Sequence, residues 1–163
     1  MHPSTSTKTQ NSAEYISGTV STIDMAQYII TSLDDDIYIA EEQLHQLLFV
    51  AQTTLCRDWG RMFTPDEFIN AGGFAQATPL AKILETIDPE TLSDSDSELR
   101  FNNASYIGGS VAHLGTAECQ WLNHILDLHL NSAPAWKLAE ICAQSPVLNR
   151  VEYGEVVEFF PMG

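Results

Sequence analysis

The most regular pattern of apolar and polar positions lies in residues 41–63, EEQLHQLLFVAQTTLCRDWGRMF. Read as a helix that advances about 100° per residue, this segment places a broad apolar face around Leu44. The other positions on that face are Leu47, Leu48, Ala51, Leu55 and Trp59. A second apolar patch holds Phe49 and Cys56, and the clearly polar arc holds only Glu42, Gln46, Thr53 and Arg57. So narrow a polar arc predicts a central helix that neighbours contact on two sides and that ends at Gly60.

Two polar residues of this helix, His45 and Gln52, lie between the apolar patches. A buried polar group without a hydrogen-bond partner costs roughly 1–3 kcal/mol, so buried polar side chains are usually paired. We therefore predict that both are hydrogen-bonded core residues rather than ligand-binding residues.

Weaker periodic segments flank the central helix. One predicts a helix that begins after Thr22 and ends at residues 34–36, where three consecutive aspartates oppose the helix macrodipole. Another predicts a helix from Thr78-Pro79 to about Ile87, with the threonine as cap and the proline at the first position.

Residues 61–77 separate these helices and have no helical period. Their aromatic and branched residues come in short pieces, interrupted by turn signals at Pro65-Asp66 and Gly72-Gly73. This pattern predicts a small β-hairpin or an irregular excursion after the second helix.

The C-terminal half predicts three more helices. They run from Thr116 to about Leu130, from a Ser132 cap with Pro134 near the start, and through residues 151–160. The core face of the first holds Ala117, Trp121, Leu128 and either Ile125 or Leu122. The second is partly buried through Trp136, Ala139, Ile141 and Cys142, and the third carries Val151, Val156, Phe159 and Phe160. Residues 99–110 predict a loop with at most one short strand.

Together these segments predict a mainly α protein, a compact bundle of about six helices with one small β excursion. Residues 1–17 are rich in Ser, Thr and Asn, which predicts a flexible leader before a single domain at 18–163.

The charge balance restricts the class of partner. Seven Lys and Arg face 22 Asp and Glu, for a formal net charge of −15. Such a chain repels nucleic-acid phosphates and anionic lipid, and it favours a basic protein partner or simply solubility. Three widely spaced cysteines without a C-x-x-C pair are typical of a reducing compartment. With no apolar segment of membrane-spanning length and no secretory signal, the sequence predicts a cytoplasmic protein.

No motif points clearly to catalysis or to a metal. Glu41 and His45 are four residues apart, as a shared metal site would require, but surface helices form such pairs through ordinary electrostatics. The pair His124 and Asp127 has the same interpretation. Gly108-Gly109-Ser110, near His113, lacks the strand–turn–helix motif of a hydrolytic serine. The acidic run 88–98, DPETLSDSDSE, lacks the glycine and final glutamate of a calcium loop. We predict no catalytic residue, no metal and no cofactor.

The order of features in residues 23–80 resembles the Panacea domain, the antitoxin-associated family that includes SocA-like proteins. Its hallmark helix, L-x-K-L-L-Y-φ-A-Q with φ apolar, is matched by LHQLLFVAQ, residues 44–52. A glycine–basic pair and an aromatic follow, here Gly60-Arg61 and Phe63. The chain departs from the family at Gln46 and Phe49, and Ala75-Gln76-Ala77 replaces the family's G-P-V turn. Three helices in the C-terminal half follow the family order more loosely.

The resemblance implies a non-enzymatic protein-binding module, an antitoxin that neutralises a cognate protein by direct contact. We expect the partner surface among the acidic segments and the altered hairpin. The candidate residues are Asp34, Asp35, Asp36, Gly72, Gly73, Phe74, Asp88, Glu90, Asp94, Asp96 and Glu98. An alternative is a phage or mobile-element inhibitor whose carboxylates mimic nucleic acid and block a DNA- or RNA-binding protein. A third hypothesis is a metal-dependent enzyme that uses Glu41, His45 or His124.

Overall fold

The fold is organised around one long helix with shorter elements on either side of it. A computed structural model describes residues 13–87 and 99–160 of the chain. In chain order, its elements are α1 (Thr22–Thr31), β1 (Ile39–Ala40), α2 (Glu41–Trp59), β2 (Phe68–Asn70), β3 (Ala75–Ala77), α3 (Thr78–Glu85), β4 (Arg100–Phe101), a 3₁₀ helix (Val111–His113), α4 (Thr116–Leu126), a π-helical turn (Asp127–Asn131), α5 (Ala135–Ala143) and α6 (Pro146–Asn149). Six α-helices in these two ranges, and an antiparallel hairpin after the second, confirm the predicted mainly α fold.

Helix α2 is the centre of the core, as predicted. Eleven of its 19 residues are buried, and it contacts α1, α4, α5, β1 and β3. Gly60 ends it in the left-handed region with φ of +62°, and its N–H donates to the Cys56 carbonyl. Gln46, predicted on the polar arc, is buried instead, because α5 covers it and brings the Cys142 thiol to its carbonyl at 3.7 Å.

Gln52 ties the extended chain after α2 back onto the helix. Its carbonyl oxygen accepts the N–H groups of Phe63 and Thr64 at 2.7 and 3.2 Å, and its amide nitrogen donates to the Thr64 carbonyl at 2.9 Å. The side chain is fully buried, so these three bonds replace all contact with water. The prediction of a hydrogen-bonded core residue is confirmed for Gln52.

Two further buried amides hold loops in the same way. Gln27 of α1 donates to the Ser105 carbonyl at 3.0 Å and accepts the Ile107 N–H at 2.8 Å. Asn70 of β2 donates to the Val151 carbonyl at 2.9 Å. Each bond joins segments about 80 residues apart, so residues without regular structure are fixed to α1 in one case and to β2 in the other.

Two small antiparallel sheets complete the architecture. In β2–β3, Phe68 pairs with Ala77 and Asn70 with Ala75. In β1–β4, Ile39 pairs with Phe101 and Ala40 with Arg100. The second sheet joins segments 60 residues apart, which no local pattern indicates.

The expected terminal helix in residues 151–160 is wrong. This segment is a turn followed by extended chain that pairs with β2: the Asn70 N–H donates to the Glu155 carbonyl at 2.9 Å, and the Val157 N–H to the Phe68 carbonyl at 2.8 Å. Gly154 turns the chain with φ of +87°, a conformation that does not continue a helix. The exposed edge of β2 offers the segment backbone partners that helical periodicity does not reveal.

Several C-terminal apolar residues do not face the core. Leu128 is 49% exposed and Trp136 is 64% exposed, although both were assigned to buried faces. Leu122 and Ile125, which were alternatives for one position on the core face, are both buried. Helix α5 begins at Ala135 with Pro134 at its cap position, so Ser132 is not the cap.

The helix caps also differ from those predicted. Ser21, rather than Thr22, caps α1, and Thr22 is buried with its hydroxyl donating to Asp66 at 2.7 Å. Ala77 precedes α3, and the Thr78 hydroxyl donates to Glu67. In both cases the hydroxyl predicted to cap the helix instead donates to a carboxylate just before β2, Asp66 or Glu67.

Residues 13–17, which belong to the expected leader at 1–17, contact the core. Ala13 and Ile16 are buried, and the Ser17 N–H donates to the Glu118 carboxylate at 2.9 Å. Residues 1–12 and the acidic run 88–98 lie outside the described residues.

Candidate functional site

The structure places the predicted aspartates on a surface with two tyrosines. We call the acidic face the combined surface of residues 34–38 and 102–106. Asp34, Asp35 and Asp36 are exposed beyond the end of α1, which stops at the Ser32 cap. The apolar residues of this surface are Ile37, 37% exposed, Tyr38, 54% exposed, and Tyr106, 70% exposed. The aspartates therefore lie after a helix that has already ended, and they do not form its last turn.

Hydrogen bonds between its two segments fix the acidic face. The Asn103 amide donates to the Asp35 carboxylate at 2.7 Å, and the Asn102 amide donates to the Tyr38 hydroxyl at 3.1 Å. The β1–β4 pairing continues directly from these residues, and Gln27 holds the Ser105 carbonyl from below. The face is therefore held in one arrangement by both backbone and side-chain bonds.

The acidic face carries only negative formal charge. Residues 34–38 and 102–106 contain three aspartates and no Lys, Arg or His. Leu99, the residue before β4, lies beside the start of α2, because its carbonyl accepts the Glu41 N–H at 3.3 Å. The predicted residues Asp88, Glu90, Asp94, Asp96 and Glu98 themselves lie outside the described ranges.

The other predicted site residues, Gly72, Gly73 and Phe74, belong to the tip of the β2–β3 hairpin. Both glycines have positive φ, +92° and +84°. A Cβ on Gly72 would lie 3.5 Å from the ring of Tyr153, so the tip packs against the C-terminal segment. Phe74 is half-buried, with its ring centroid 6.4 Å from that of His45. The hairpin tip thus contacts residues 153–155 and α2, whereas Asp34–Asp36 belong to the acidic face.

His45 is fully buried but only half-paired. Its Nδ1 accepts the Ala77 N–H at 3.2 Å, while Nε2 has no hydrogen-bond partner among the described residues and lies 3.9 Å from the Glu41 carboxylate. Burial lowers the pKa of His45 to about 4, and burial together with the nearby Glu85 raises the pKa of Glu41. A neutral ring that accepts at Nδ1 carries its proton on Nε2. The prediction of a satisfied core residue therefore holds for only one of the two ring nitrogens.

Among the described residues, His113 forms the closest histidine–carboxylate contact, with a partner far away in the sequence. Its Nδ1 lies 2.7 Å from the Asp24 carboxylate, which also accepts the Ser110 N–H at 2.8 Å. Burial raises the pKa of Asp24, but the hydrogen bonds from Ser110 and His113 outweigh it and the net shift is downward. The contact fastens the 3₁₀ helix to the first turn of α1. It joins residues 89 positions apart, which the local motif did not reveal.

The remaining candidate ligands are dispersed. The His124 ring packs at 5.5 Å from Trp121, and Asp127 accepts a hydrogen bond from Asn131. Within residues 13–87 and 99–160, no group of three or more His, Cys, Asp or Glu side chains is placed to hold a metal ion. Burial raises the pKa of the Cys56 thiol to about 12, in keeping with a small apolar core residue.

Sequence reasoning missed Tyr38 and Tyr106 as members of the acidic face. Tyr38 is adjacent to the aspartates in the sequence and was available as a signal, whereas the segment of Tyr106 joins the face through the β1–β4 pairing and the bonds of Asn102 and Asn103. No helix in the described part of the chain is long and apolar enough to cross a membrane. Comparisons with protein-family models, curated proteins and solved structures found no match. Membership of the Panacea domain therefore remains a prediction from the sequence motif.

Proposed function

We propose that this protein is a non-enzymatic, antitoxin-like binding module that neutralises a basic partner protein by direct contact through the acidic face. One observation supports it above the others: three exposed aspartates and the exposed Tyr38 lie in a segment that is hydrogen-bonded to the segment carrying the exposed Tyr106. Affinity at protein interfaces is concentrated in a few buried anchors, and tyrosine is enriched among them.

The two kinds of residue have different roles in this proposal. Tyr38 and Tyr106 supply contact area and are buried by the partner, so they set the dissociation rate. Asp34, Asp35 and Asp36 attract a basic surface over several ångströms, so they set the association rate and its dependence on salt. The excess of acids over bases in the whole chain acts in the same direction as these aspartates.

Fixed geometry favours binding because less conformational entropy is lost. Asn102 and Asn103 hold Tyr38 and Asp35 before any partner arrives. Side chains that are already ordered save a part of the roughly 0.5–1.5 kcal/mol that each immobilised side chain costs on association.

The test begins with the partner recovered by affinity purification from the native host and identified by mass spectrometry. Binding kinetics are then measured at several salt concentrations. Changing Asp34, Asp35 and Asp36 to Asn should slow association about tenfold at low salt and flatten its salt dependence, with little change in dissociation. The matched control changes three exposed acids elsewhere, Glu14, Glu140 and Glu158, to Gln.

The tyrosines are tested separately. Replacing both Tyr38 and Tyr106 with Ala should accelerate dissociation at least about tenfold and abolish neutralisation of the partner in cells. Nucleic-acid phosphates have nothing equivalent to these rings. Unchanged dissociation, combined with competition by duplex DNA, would instead favour the nucleic-acid mimic. Unchanged kinetics in both variants would contradict binding through the acidic face.

A further inference from the structure

A groove on another part of the surface is lined by basic side chains, in contrast to the acidic face. It lies between the C-terminal half of α2 and the α5–α6 pair, with the C-terminal segment as one wall, and its volume is about 460 Å³. Its lining includes Phe49, Arg57, Ile141, Val147, Arg150 and Phe159. The Phe159 ring packs at 6.0 Å from Phe49 and 5.3 Å from Phe68, so the wall formed by the C-terminal segment is anchored in the core.

The charge of the groove contrasts with the chain as a whole. Acids outnumber bases 22 to seven in the sequence, yet the groove is lined by two arginines and by no Asp or Glu. Asp58 engages Nε and one terminal nitrogen of Arg57, at 2.8 and 3.2 Å, which leaves the other terminal nitrogen available. Among the described residues, no side-chain hydrogen bond or ion pair engages Arg150. Of the two arginines in the groove, Arg150 is therefore the one that Asp58 does not neutralise.

We infer that this groove binds a small molecule with an apolar body and one carboxylate. A volume of 460 Å³ lies within the roughly 300–1,000 Å³ that is typical of small-ligand sites. A helix is about 10–12 Å across, so the groove could hold only about one turn of a docked helix. The carboxylate pairs with Arg150, with support from Arg57. The apolar body lies against Phe49, Val147 and Phe159. This site is separate from the acidic face and does not depend on the proposed function.

The experiment uses the full chain, with decanoate as the probe and decanol as its uncharged counterpart, measured by calorimetry. We expect one decanoate per chain, with decanol bound about tenfold more weakly because the charge-assisted hydrogen bond is lost. Arg150→Gln should weaken decanoate about tenfold and leave decanol unchanged. Arg57→Gln should have a smaller effect, because Asp58 already holds that side chain. Lys82→Gln, which removes an exposed cation on α3, is the matched control and should change nothing.

Methyl NMR locates the bound molecule independently of affinity. Decanoate should shift the resonances of Val147 and Ile141, which line the groove, and leave those of Leu33 near the acidic face unchanged. Absence of decanoate binding would overturn the inference. So would equal binding of decanoate and decanol, or decanoate affinity that Arg150→Gln leaves intact.

Discussion

The two halves of α2 contain polar residues that are equally buried and differently paired. Gln52, in the C-terminal half, uses its donor and its acceptor in three hydrogen bonds. His45, two turns earlier, uses one ring nitrogen, and the other lies 3.9 Å from Glu41. Since a buried polar group contributes stability only when it is paired, the same helix is firmly held at one end and imperfectly satisfied at the other.

The N-terminal half of α2, which contains His45, is also the half next to the proposed binding surface. Glu41 directly follows β1, and its N–H donates to the Leu99 carbonyl beside the acidic face. The C-terminal half instead carries Arg57 at the groove. Acids at the first turn and a base at the last turn both agree with the helix macrodipole. The first turn of α2, with two acids, thus lies near the acidic face, while Arg57, paired with Asp58, lies at the groove.

The largest expected effect comes from removing the Gln52 hydrogen bonds in the C-terminal half of α2. Gln52→Ala removes three hydrogen bonds and leaves the N–H groups of Phe63 and Thr64 and one carbonyl unpaired in the core. We expect the free energy of unfolding to fall by on the order of 4 kcal/mol, measured by urea denaturation. Thr53→Ala, at a partly exposed position of the same helix, should cost less than about 1 kcal/mol. Similar losses in the two variants would contradict the role assigned to Gln52.

A smaller, pH-dependent effect on stability is expected from His45 in the N-terminal half of α2. The imidazole is charged when protonated, and the folded-state pKa of about 4 lies below its ordinary value of 6.5. The unfolded chain therefore binds this proton more tightly, so stability falls as pH decreases from about 6.5 to 4, by on the order of 3 kcal/mol in total. His45→Asn keeps an acceptor near the Nδ1 position and cannot titrate.

Urea denaturation at a series of pH values between 7 and 4 measures this slope. The contribution of His45 is the difference between the wild-type and His45→Asn curves, because the titration of the Asp and Glu carboxyls is common to both proteins. If the two curves stay parallel across the interval, the buried imidazole is not the source of the acid sensitivity.

The sequence predicted the C-terminal half of α2, with Gln52 and Gly60, better than the segments around it. The narrow polar arc located the helix and its Gly60 end, and the hydrogen-bonding rule anticipated the pairing of Gln52. These predictions depend on residues within one helix and on burial. They succeeded because a helix almost without a polar face has few alternatives to a central position.

The features that failed depend on partners distant in the sequence. Residues 151–160 have apolar spacing compatible with a helix, but the edge of β2 and the turn at Gly154 give them an extended conformation. The segment of Tyr106 joins the acidic face through the pairing of Phe101 with Ile39 and through the bonds of Asn102 and Asn103. Trp136 was expected inside, yet Leu138 and Cys142 are the residues with which α5 faces the core. Local periodicity cannot rank such competing contacts.

The smallest expected effect tests whether Glu41 itself makes the N-terminal half imperfect. Burial and the neighbouring Glu85 both raise the pKa of Glu41, so its charged form is disfavoured in the folded chain. Its contribution to stability is therefore present at low pH and lost as pH rises through the folded-state pKa.

Glu41→Gln removes the charge and keeps an oxygen near Nε2 of His45. We expect a gain of roughly 0.5 kcal/mol at pH 7, discounted for the partial exposure of the side chain, and no gain near pH 3, where the wild-type carboxyl is protonated. Glu42→Gln, one position along on the exposed side of the helix, is the matched control. A loss of stability at pH 7 in Glu41→Gln would mean that the carboxylate stabilises His45 across the 3.9 Å gap. The N-terminal half of α2 would then be as firmly paired as the half that contains Gln52.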